Sequence, residues 1–256
     1  MAKRVLLVAV SCTVAAWAGD FNEVILRQVA SMPAGGGYAT TASAHQALTD
    51  AVRLDASGLS LHAAAATPSY CSGATYLVFL KTLVELQRRG DIRIDRTTFA
   101  ALLPGKVADG EGVWGRWNAN GPGTPRLFHE LGIGRNFTAF EDARPGDFLK
   151  IFWTGEVGAS ERGHSVIFLG LQSQGGIECV RFWSSNKPGG YGEKSVPRQK
   201  ISGVIFSRLE SPELIGRAAE LPRRDPYLAG LLARRSSFAE AARLCGFPWP
   251  RDSKRD

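Results

Sequence analysis

The sequence predicts an α+β fold, because helical and strand patterns occupy different parts of the chain. Between Cys71 and Gly90 apolar residues recur at helical spacing, at Leu77, Leu80, Leu83, Val84 and Leu86. After Pro145 the pattern changes to runs rich in Phe, Val, Ile and Trp, separated by glycine-bearing turns, at residues 147–153, 164–171, 177–183 and 201–209. Helices followed by a series of strands are typical of an α+β protein with an antiparallel sheet.

Two further helices are expected before the main one. Residues 20–32 and 41–54 both favour helix, and the run Pro33-Ala34-Gly35-Gly36-Gly37 between them breaks it. Thr67-Pro68-Ser69 supplies a cap and a breaker, so Cys71 should lie in or just before the first turn of the main helix. Residues 104–125 are expected to form a long, polar, glycine-rich loop, and residues 237–244 a short helix.

The first 18 residues have the three-part layout of a secretory signal peptide. Lys3 and Arg4 give a positive start, residues 5–16 are almost wholly apolar, and Ala16-Trp17-Ala18 offers small residues at a cleavage site. We therefore expect a periplasmic or secreted protein with no stable membrane insertion after signal cleavage. Acylation of Cys12 is a weaker alternative, because the usual branched residue three positions before it is missing.

The rest of the chain is expected to divide into an N-terminal helical segment (19–64), a main domain (65–210) and a C-terminal helical extension with a charged tail (211–256). This part contains Cys71, Cys179 and Cys245. An odd number of cysteines in an oxidising compartment leaves at least one thiol free. Whether Cys179 and Cys245 pair is left open.

The net charge and the motifs of the sequence limit which classes of partner, metal and cofactor are expected. A net charge of +7 suits an anionic partner such as a cell-wall polymer. The basic residues are scattered and no nucleic-acid-binding module accompanies them, so we expect no nucleic-acid partner. No metal is expected, because H-E-x-x-H, C-x-x-C and paired-histidine spacings are absent. Residues 110–115 match G-x-G-x-x-G but follow no strand, and so no cofactor is expected.

Cys71 is the candidate nucleophile. A thiol attacks as its thiolate, and the start of a helix favours an anion through its unpaired N–H groups and the helix dipole. The same N–H groups can later stabilise the oxyanion of a tetrahedral intermediate. The base must be a histidine within reach, and His164 is the candidate because it stands at the start of a predicted strand, at the rim of the sheet.

Three motifs carry a resemblance to a known family. Tyr70-Cys71-Ser72-Gly73-Ala74 resembles the D-C-S-G-F motif of NlpC/P60 cell-wall peptidases, residues 144–149 (RPGDFL) resemble R-P-G-D-L, and residues 163–170 (GHSVIFLG) resemble H-V-G-I-Y-L-G. They occur in the family's order, with about 90 residues between nucleophile and base, and cover roughly residues 65–210. The resemblance implies a papain-like core, with the cysteine helix packed on an antiparallel sheet.

The sequence also departs from this family's pattern. Tyr70 replaces the acid before the cysteine, and the strand after His164 lacks the usual histidine that orients the base. A turn near Ser173-Gln174 would place His164 opposite Ser184, give or take two residues, and would put Asn186 on the same face. Glu178 is another candidate. The related CHAP amidases carry an asparagine at the end of this strand, which favours Asn186 as the third catalytic residue.

The resemblance implies an exported cysteine hydrolase that cleaves an amide bond in peptidoglycan or a cell-wall peptide. Substrate contacts are expected from residues flanking Cys71 and from the tryptophan- and glycine-rich segment, namely Tyr70, Ser72, Trp114, Trp117 and Asn118. Two alternatives remain at this stage: a non-catalytic wall-binding module on the same fold, and a related acyltransferase. The order of Cys before His favours the hydrolase over the acyltransferase, whose relatives often carry a permuted order.

Overall fold

The computed structural model describes residues 21–248, which form an α+β fold as the sequence predicts. The helices are α1 (Phe21–Ala30), α2 (Ala42–Asp50), α3 (Cys71–Arg89), α4 (Arg96–Ala101), α5 (Gly112–Asn118), α6 (Gly123–Leu131), α7 (Pro226–Gly230) and α8 (Phe238–Leu244). Short 3-10 segments cover Ala63–Ala65, Phe140–Asp142, Arg198–Lys200 and Pro212–Glu220. No described helix is both long enough and apolar enough to cross a membrane.

A seven-stranded antiparallel sheet forms the other half of the fold. Its strands are β1 (Gly35–Gly36), β4 (Gly134–Phe137), β5 (Phe148–Phe152), β7 (His164–Gln174), β8 (Ile177–Asn186), β9 (Gly190–Pro197) and β10 (Gly203–Leu209), in the spatial order β1-β9-β8-β7-β5-β10-β4. There are also two two-stranded sheets: β2 (Val52–Asp55) and β3 (Gly58–Leu61) form a hairpin, and β6 (Val157–Gly158) pairs with the distant β11 (Arg235–Ser236).

Helix α3 is the centre of the main core. Nearly all of its first ten residues are buried, and Phe79 packs against Trp117, Phe128 and Phe148, with ring centroids 4.8 to 6.2 Å apart. Each fully buried aromatic or aliphatic side chain contributes roughly 1.5–3 kcal/mol. The helix ends at Gly90, whose φ of 80° is favourable only for glycine. This packing fixes the helix, and therefore Cys71 at its start, against one face of the sheet.

The RPGD segment anchors the strand that borders the site. Asp147 is fully buried, and its carboxylate accepts hydrogen bonds from Arg208 at 2.6 and 2.8 Å and from Asn22 Nδ2 at 2.8 Å. The Arg144 N–H donates to the same carboxylate at 2.8 Å. A buried charge with this many donors is well compensated. The segment therefore ties helix α1 and strand β10 to the start of β5.

Two predictions for the first half of the chain, one of a helix and one of a loop, need correction. Residues 41–54 do not form one helix, because α2 ends at Asp50 and the chain enters the β2–β3 hairpin, whose turn is closed by Asp55 accepting from the Ser57 N–H at 2.8 Å. Residues 104–125 are not a loop, because α5 and the start of α6 lie within them. Burial of Trp114 and Trp117 against α3 outweighs the poor helix propensity of the glycines.

The sheet contains strands that the sequence pattern does not reveal. Strands β4 and β9 are short of apolar residues, and they are strands because neighbouring strands supply their hydrogen-bond partners. The β7–β8 hairpin turns at Gly175-Gly176, both with positive φ, about two residues later than predicted. A bulge lies between Phe168 and Gly170, and Ile167 pairs with Trp183.

The N-terminal and C-terminal segments pack on the same body as residues 65–210. Helices α1 and α2 contribute Val24, Ile25 and Leu48 to the main core, while α7 and α8 cover the other end of the sheet. Ser237 caps α8 by accepting from the Glu240 N–H at 3.1 Å, in agreement with the predicted helix at 237–244. The predicted signal peptide (1–18) and the last residues of the charged tail (249–256) lie outside the described residues.

Candidate active site

Cys71 is the first residue of helix α3. Tyr70 precedes it as the N-cap residue, in extended conformation and without a side-chain capping bond. The first helical backbone bond runs from Ala74 N–H to Tyr70 O at 2.9 Å, so the N–H groups of residues 71–73 have no acceptor within the helix. The helix start at Cys71 follows from the breaker Pro68 and from the buried residues that come after it. These N–H groups remain available to an anion beside the sulfur.

His164 lies between Cys71 and Asn186. Its ring acts on the Cys71 sulfur through charge attraction and hydrogen bonding that lower the thiol pKa, and His164 Nε2 lies 3.3 Å from Asn186 Oδ1. The Asn186 Nδ2 group donates to Gly192 O at 2.9 Å and to Ser184 O at 3.3 Å. Because these carbonyls fix which end of the amide carries the oxygen, Oδ1 faces the ring and accepts from Nε2–H. That tautomer leaves Nδ1 unprotonated, as a general base requires.

The other two candidates for the third residue lie elsewhere. The buried Ser184 hydroxyl donates to the backbone oxygen of Ser165 at 2.7 Å. Glu178 is near the opposite end of β8, where it forms an ion pair with Arg198 at 2.7 Å. The late turn at Gly175-Gly176 shifts the register by about two residues, which places Asn186 rather than Ser184 beside His164.

The surroundings of Cys71 lower the pKa of its thiol to about 6. Burial acts in the opposite direction and by itself raises the pKa. The His164 ring outweighs it through charge attraction and its hydrogen bond, with further help from the Lys150 ammonium and the Ser165 N–H. Most of the thiol is therefore ionised at neutral pH, which is the reactive state.

Tyr38 also lies beside the Cys71 sulfur, although the sequence analysis did not predict it as a site residue. Tyr38 and Cys71 both line the same cleft, and burial raises the Tyr38 pKa to about 12, with further contributions from the charge of the Cys71 thiolate and its hydrogen bonding to the hydroxyl. The residue reaches the site because Ala39 N–H donates to Ser69 O and Ser69 N–H donates to Gly37 O, both at 3.0 Å. The glycine run at 35–37 is a visible signal of a close approach, but nothing in the sequence indicates its partner.

The expected substrate residues next to Cys71 line a cleft of about 420 Å³ that opens onto the sulfur. The Tyr70 hydroxyl is bound to His45 Nδ1 at 2.7 Å, and the Ser72 hydroxyl donates to Asn118 Oδ1 at 2.6 Å. Tyr70, Ser72 and Asn118 all border the cleft, and so does His45, which is not among the expected substrate residues. Asn118 and His45 also border a second hollow of about 430 Å³.

The two tryptophans play different parts. Trp114 is almost completely buried but borders the second hollow. Trp117 is fully buried in the core, where its Nε1 donates to Ser72 O at 3.1 Å. The structure therefore places Trp117 behind the cysteine helix and away from the cleft, because its apolar ring gains more from packing on Phe79 than from exposure.

The described residues show no metal site, and the comparisons with known proteins identify no relative. Within residues 21–248, no group of three or more His, Cys, Asp or Glu side chains is arranged to hold a metal ion. The three cysteines in this range are all free thiols. Comparison of the chain with protein-family models, with curated proteins and with solved structures found no match. The resemblance to NlpC/P60 peptidases therefore rests on the three short motifs.

Proposed function

We propose that the protein is an exported cysteine hydrolase with a papain-like core that cleaves an amide bond of peptidoglycan. The observation that carries the proposal is the arrangement of Cys71, His164 and Asn186: the His164 ring stabilises the Cys71 thiolate and is hydrogen-bonded to Asn186, and the thiolate lies at the start of a buried helix, beside a cleft. Peptidoglycan as the substrate is supported by the motif resemblance, by the predicted signal peptide and by the positive net charge.

In this mechanism the Cys71 thiolate attacks the carbonyl carbon of the amide, and the carbonyl electron pair moves onto its oxygen. In the proposal that oxyanion is stabilised by the N–H groups at the start of α3 and by the Tyr38 hydroxyl, both of which adjoin Cys71. Protonated His164 then gives its proton to the leaving amine, which departs and leaves a thioester on Cys71. His164 next takes a proton from water, whose oxygen attacks the thioester and releases the acid and the thiolate. Asn186 holds the ring in place throughout.

Digestion of purified peptidoglycan tests the proposal directly. Residues 19–256 should release fragments whose masses identify a new amine and a new carboxyl at one bond. Cys71→Ala should abolish release without unfolding the protein, because it removes one sulfur atom and little packing. If the wild-type protein binds wall fragments and cleaves none, with Cys71→Ala binding equally well, the protein is a wall-binding module.

The pH dependence of thiol alkylation provides a second test that needs no substrate. Because the pKa of Cys71 is lowered to about 6, its reaction rate with iodoacetamide should rise through a midpoint near pH 6 and level off above it. An ordinary thiol has its midpoint near ~8.5. His164→Ala should move the midpoint upward, since it removes the main group that stabilises the thiolate. If the alkylation of Cys71 in the wild-type protein has the pH midpoint of an ordinary thiol, Cys71 and His164 do not act as a catalytic pair.

A further inference from the structure

The cleft beside Cys71 carries an excess of positive charge that the proposed amide chemistry does not require. Lys150, Arg162 and Lys187 all border it, whereas the single carboxylate in its lining belongs to Asp109. Lys187 lies at the rim, with its ammonium 5.4 Å from the centre of the Tyr38 ring. A cleft with low-dielectric walls and one dominant sign of charge concentrates ligands of the opposite sign.

Lys150 is an unusual member of this group because it is buried. It is 4% exposed on strand β5, opposite Ser165 in β7. Its ammonium has three N–H donors, and among the described residues it makes one hydrogen bond, to Ser165 Oγ at 3.2 Å, and no ion pair. Burial lowers the pKa of Lys150, while the charges of Cys71, Asp109 and Glu161 oppose that shift. No carboxylate forms an ion pair with this ammonium within residues 21–248, and the Cys71 thiolate is the first of the opposing charges that favour its charged form.

Two neighbouring side chains also have spare donors. Asn120 borders the cleft, and its Nδ2 is buried without a hydrogen-bond partner among the described residues. Arg162 is exposed at the cleft and has no ion-pair partner within residues 21–248. Buried donors in proteins are nearly always satisfied, so an orphaned amide beside an incompletely paired ammonium indicates a missing acceptor.

The nearby carboxylates do not supply that acceptor. Glu161 is fully engaged by backbone donors, with Trp153, Thr154 and Gly163 N–H groups each at 2.9 Å. Asp109 accepts from the Asn120 backbone N–H at 3.0 Å, and burial raises its pKa, although Lys150 and Arg162 partly offset that effect. The groups lining the cleft thus include two exposed cations, Arg162 and Lys187, a buried lysine whose charged form is disfavoured by burial, and one carboxylate whose charged form burial also disfavours.

We infer that the cleft binds a carboxylate of the substrate, close to the amide bond that Cys71 attacks, through Lys150, Arg162 and the Asn120 side-chain amide. This inference rests on the proposed function for its substrate and extends it to a chemical class. The substrate carries a free carboxylate near the scissile bond, and the corresponding carboxamide is a poor substrate. Arg162 and Lys150 are then specificity-determining residues, and Asp109 limits how strongly the site attracts anions.

Two alkylating reagents of nearly the same shape test the inference without any cleavage. The Cys71 thiolate displaces iodide from iodoacetate, which is anionic, or from iodoacetamide, which is neutral. Both reactions need the same thiolate, so the ratio of their rates is independent of the thiol pKa. Small free thiols react faster with iodoacetamide, and we expect the wild-type protein to favour iodoacetate. Cys179 and Cys245 are buried, and peptide mapping locates the label on Cys71.

Charge variants then assign the preference to this cleft. Arg162→Gln and Lys150→Met should each lower the iodoacetate-to-iodoacetamide ratio about three- to tenfold, as expected for losing one charge several ångströms away. Asp109→Asn should raise it, and added salt should reduce it. Arg93→Gln is the matched control, because it removes an exposed arginine that does not border the cleft and should change nothing. Arg162 is at the surface, so its variant remains informative even if Lys150→Met is unstable.

An unchanged ratio in Arg162→Gln and in a folded Lys150→Met, or a wild-type ratio equal to that of a small thiol, would overturn the inference. Paired peptides that carry a carboxylate or a carboxamide beside the scissile bond extend the test to turnover, with the carboxylate expected to give the higher kcat/KM. If the iodoacetate-to-iodoacetamide ratio depends on these charges but the protein cleaves no wall material, the anion site is supported and the proposed function is rejected. If the protein cleaves wall material but the ratio does not depend on these charges, the proposed function is supported and the anion site is rejected.

Discussion

The Asn186 amide is oriented by backbone carbonyls, and this decides what it can do for His164. Two acceptors, Gly192 O and Ser184 O, hold the NH₂ group, so only the oxygen is left to face the imidazole. A carboxylate at this position would share the imidazolium charge, whereas a neutral amide orients the ring without neutralising it. We therefore propose that Asn186 orients the His164 ring and takes no direct part in the reaction.

Substitutions at three residues of strand β8 test this assignment. Asn186→Ala should lower the rate of amide cleavage by roughly one to three orders of magnitude, less than the loss of the base itself, because general-base assistance is worth about 10²–10⁴-fold. Ser184→Ala is the close control, since it removes a buried hydrogen bond worth about 0.5–1.5 kcal/mol of stability but no contact with His164. Glu178→Ala should have no effect. Steady-state kinetics with wall fragments would distinguish the three.

The reverse pattern would contradict the assignment. If Asn186→Ala matches the wild-type rate while Ser184→Ala or Glu178→Ala is strongly impaired, the third residue is not Asn186. Thermal unfolding of each variant separates a loss of rate from a loss of folded protein.

At the scale of elements, the site depends on how the glycine segment at residues 35–37 meets strand β9. Gly190 has a φ of 89°, and a Cβ there would lie 2.3 Å from Gly35 O and 2.7 Å from Gly37 N. Backbone atoms cannot yield to such a contact as a flexible side chain can. The β1–β9 pairing is thus possible only with glycine at this position, and the same pairing holds the chain that leads to Tyr38.

Alanine substitutions at two adjacent glycines test this close approach. Gly190→Ala should destabilise the protein by more than ~1 kcal/mol, because it adds backbone strain to a steric clash. Gly189→Ala is the matched control, since no atom lies within 4 Å of the added Cβ and its φ is not in the left-handed region. Urea unfolding compares their stabilities. Equal midpoints would show that the β1–β9 contact is not tightly constrained.

At the scale of the whole molecule, the N-terminal helices and C-terminal segments share their packing with the strands and helices that carry the site. Arg126 links α6 to the C-terminal part through Asp225 at 2.7 Å and Leu244 O at 2.6 Å. Phe238 of α8 packs on Phe152 of β5, two residues beyond Lys150. The C-terminal extension therefore supports the strand that borders the cleft, although no residue from it takes part in the proposed chemistry.

Export is the whole-molecule property that the sequence predicts. The first 18 residues should be removed during secretion, because the positive start, apolar run and Ala16-Trp17-Ala18 match a cleaved signal peptide. Intact-mass measurement of protein from the periplasm or medium checks the cleavage site. Val8→Arg should block export by interrupting the apolar run, whereas Val8→Leu should not. Full-length protein that stays in the cytoplasm would refute the signal peptide and weaken the cell-wall assignment.

The sequence by itself determined the α+β class, the helix that begins at Cys71 and most of the central strands. Those elements have strong local signals: Pro68 before the helix, a periodic apolar stripe within it, and β-branched and aromatic runs later. It also brought out Cys71, His164 and Asn186, from three short motifs and the end of a strand. Each of these features depends on residues that are close together in the chain.

Only the tertiary structure decided which distant groups meet at the sulfur. Tyr38 and Lys150 reach Cys71 from a glycine-rich turn and from the middle of a strand, and no local pattern marks either as part of a site. Residues 112–118, within the segment expected to be a loop, form a helix because buried tryptophans have a core to pack on, and the hairpin register differs from the predicted one because of a bulge and a late turn. Such outcomes depend on contacts between distant segments, whose free energies are comparable to the local preferences they override.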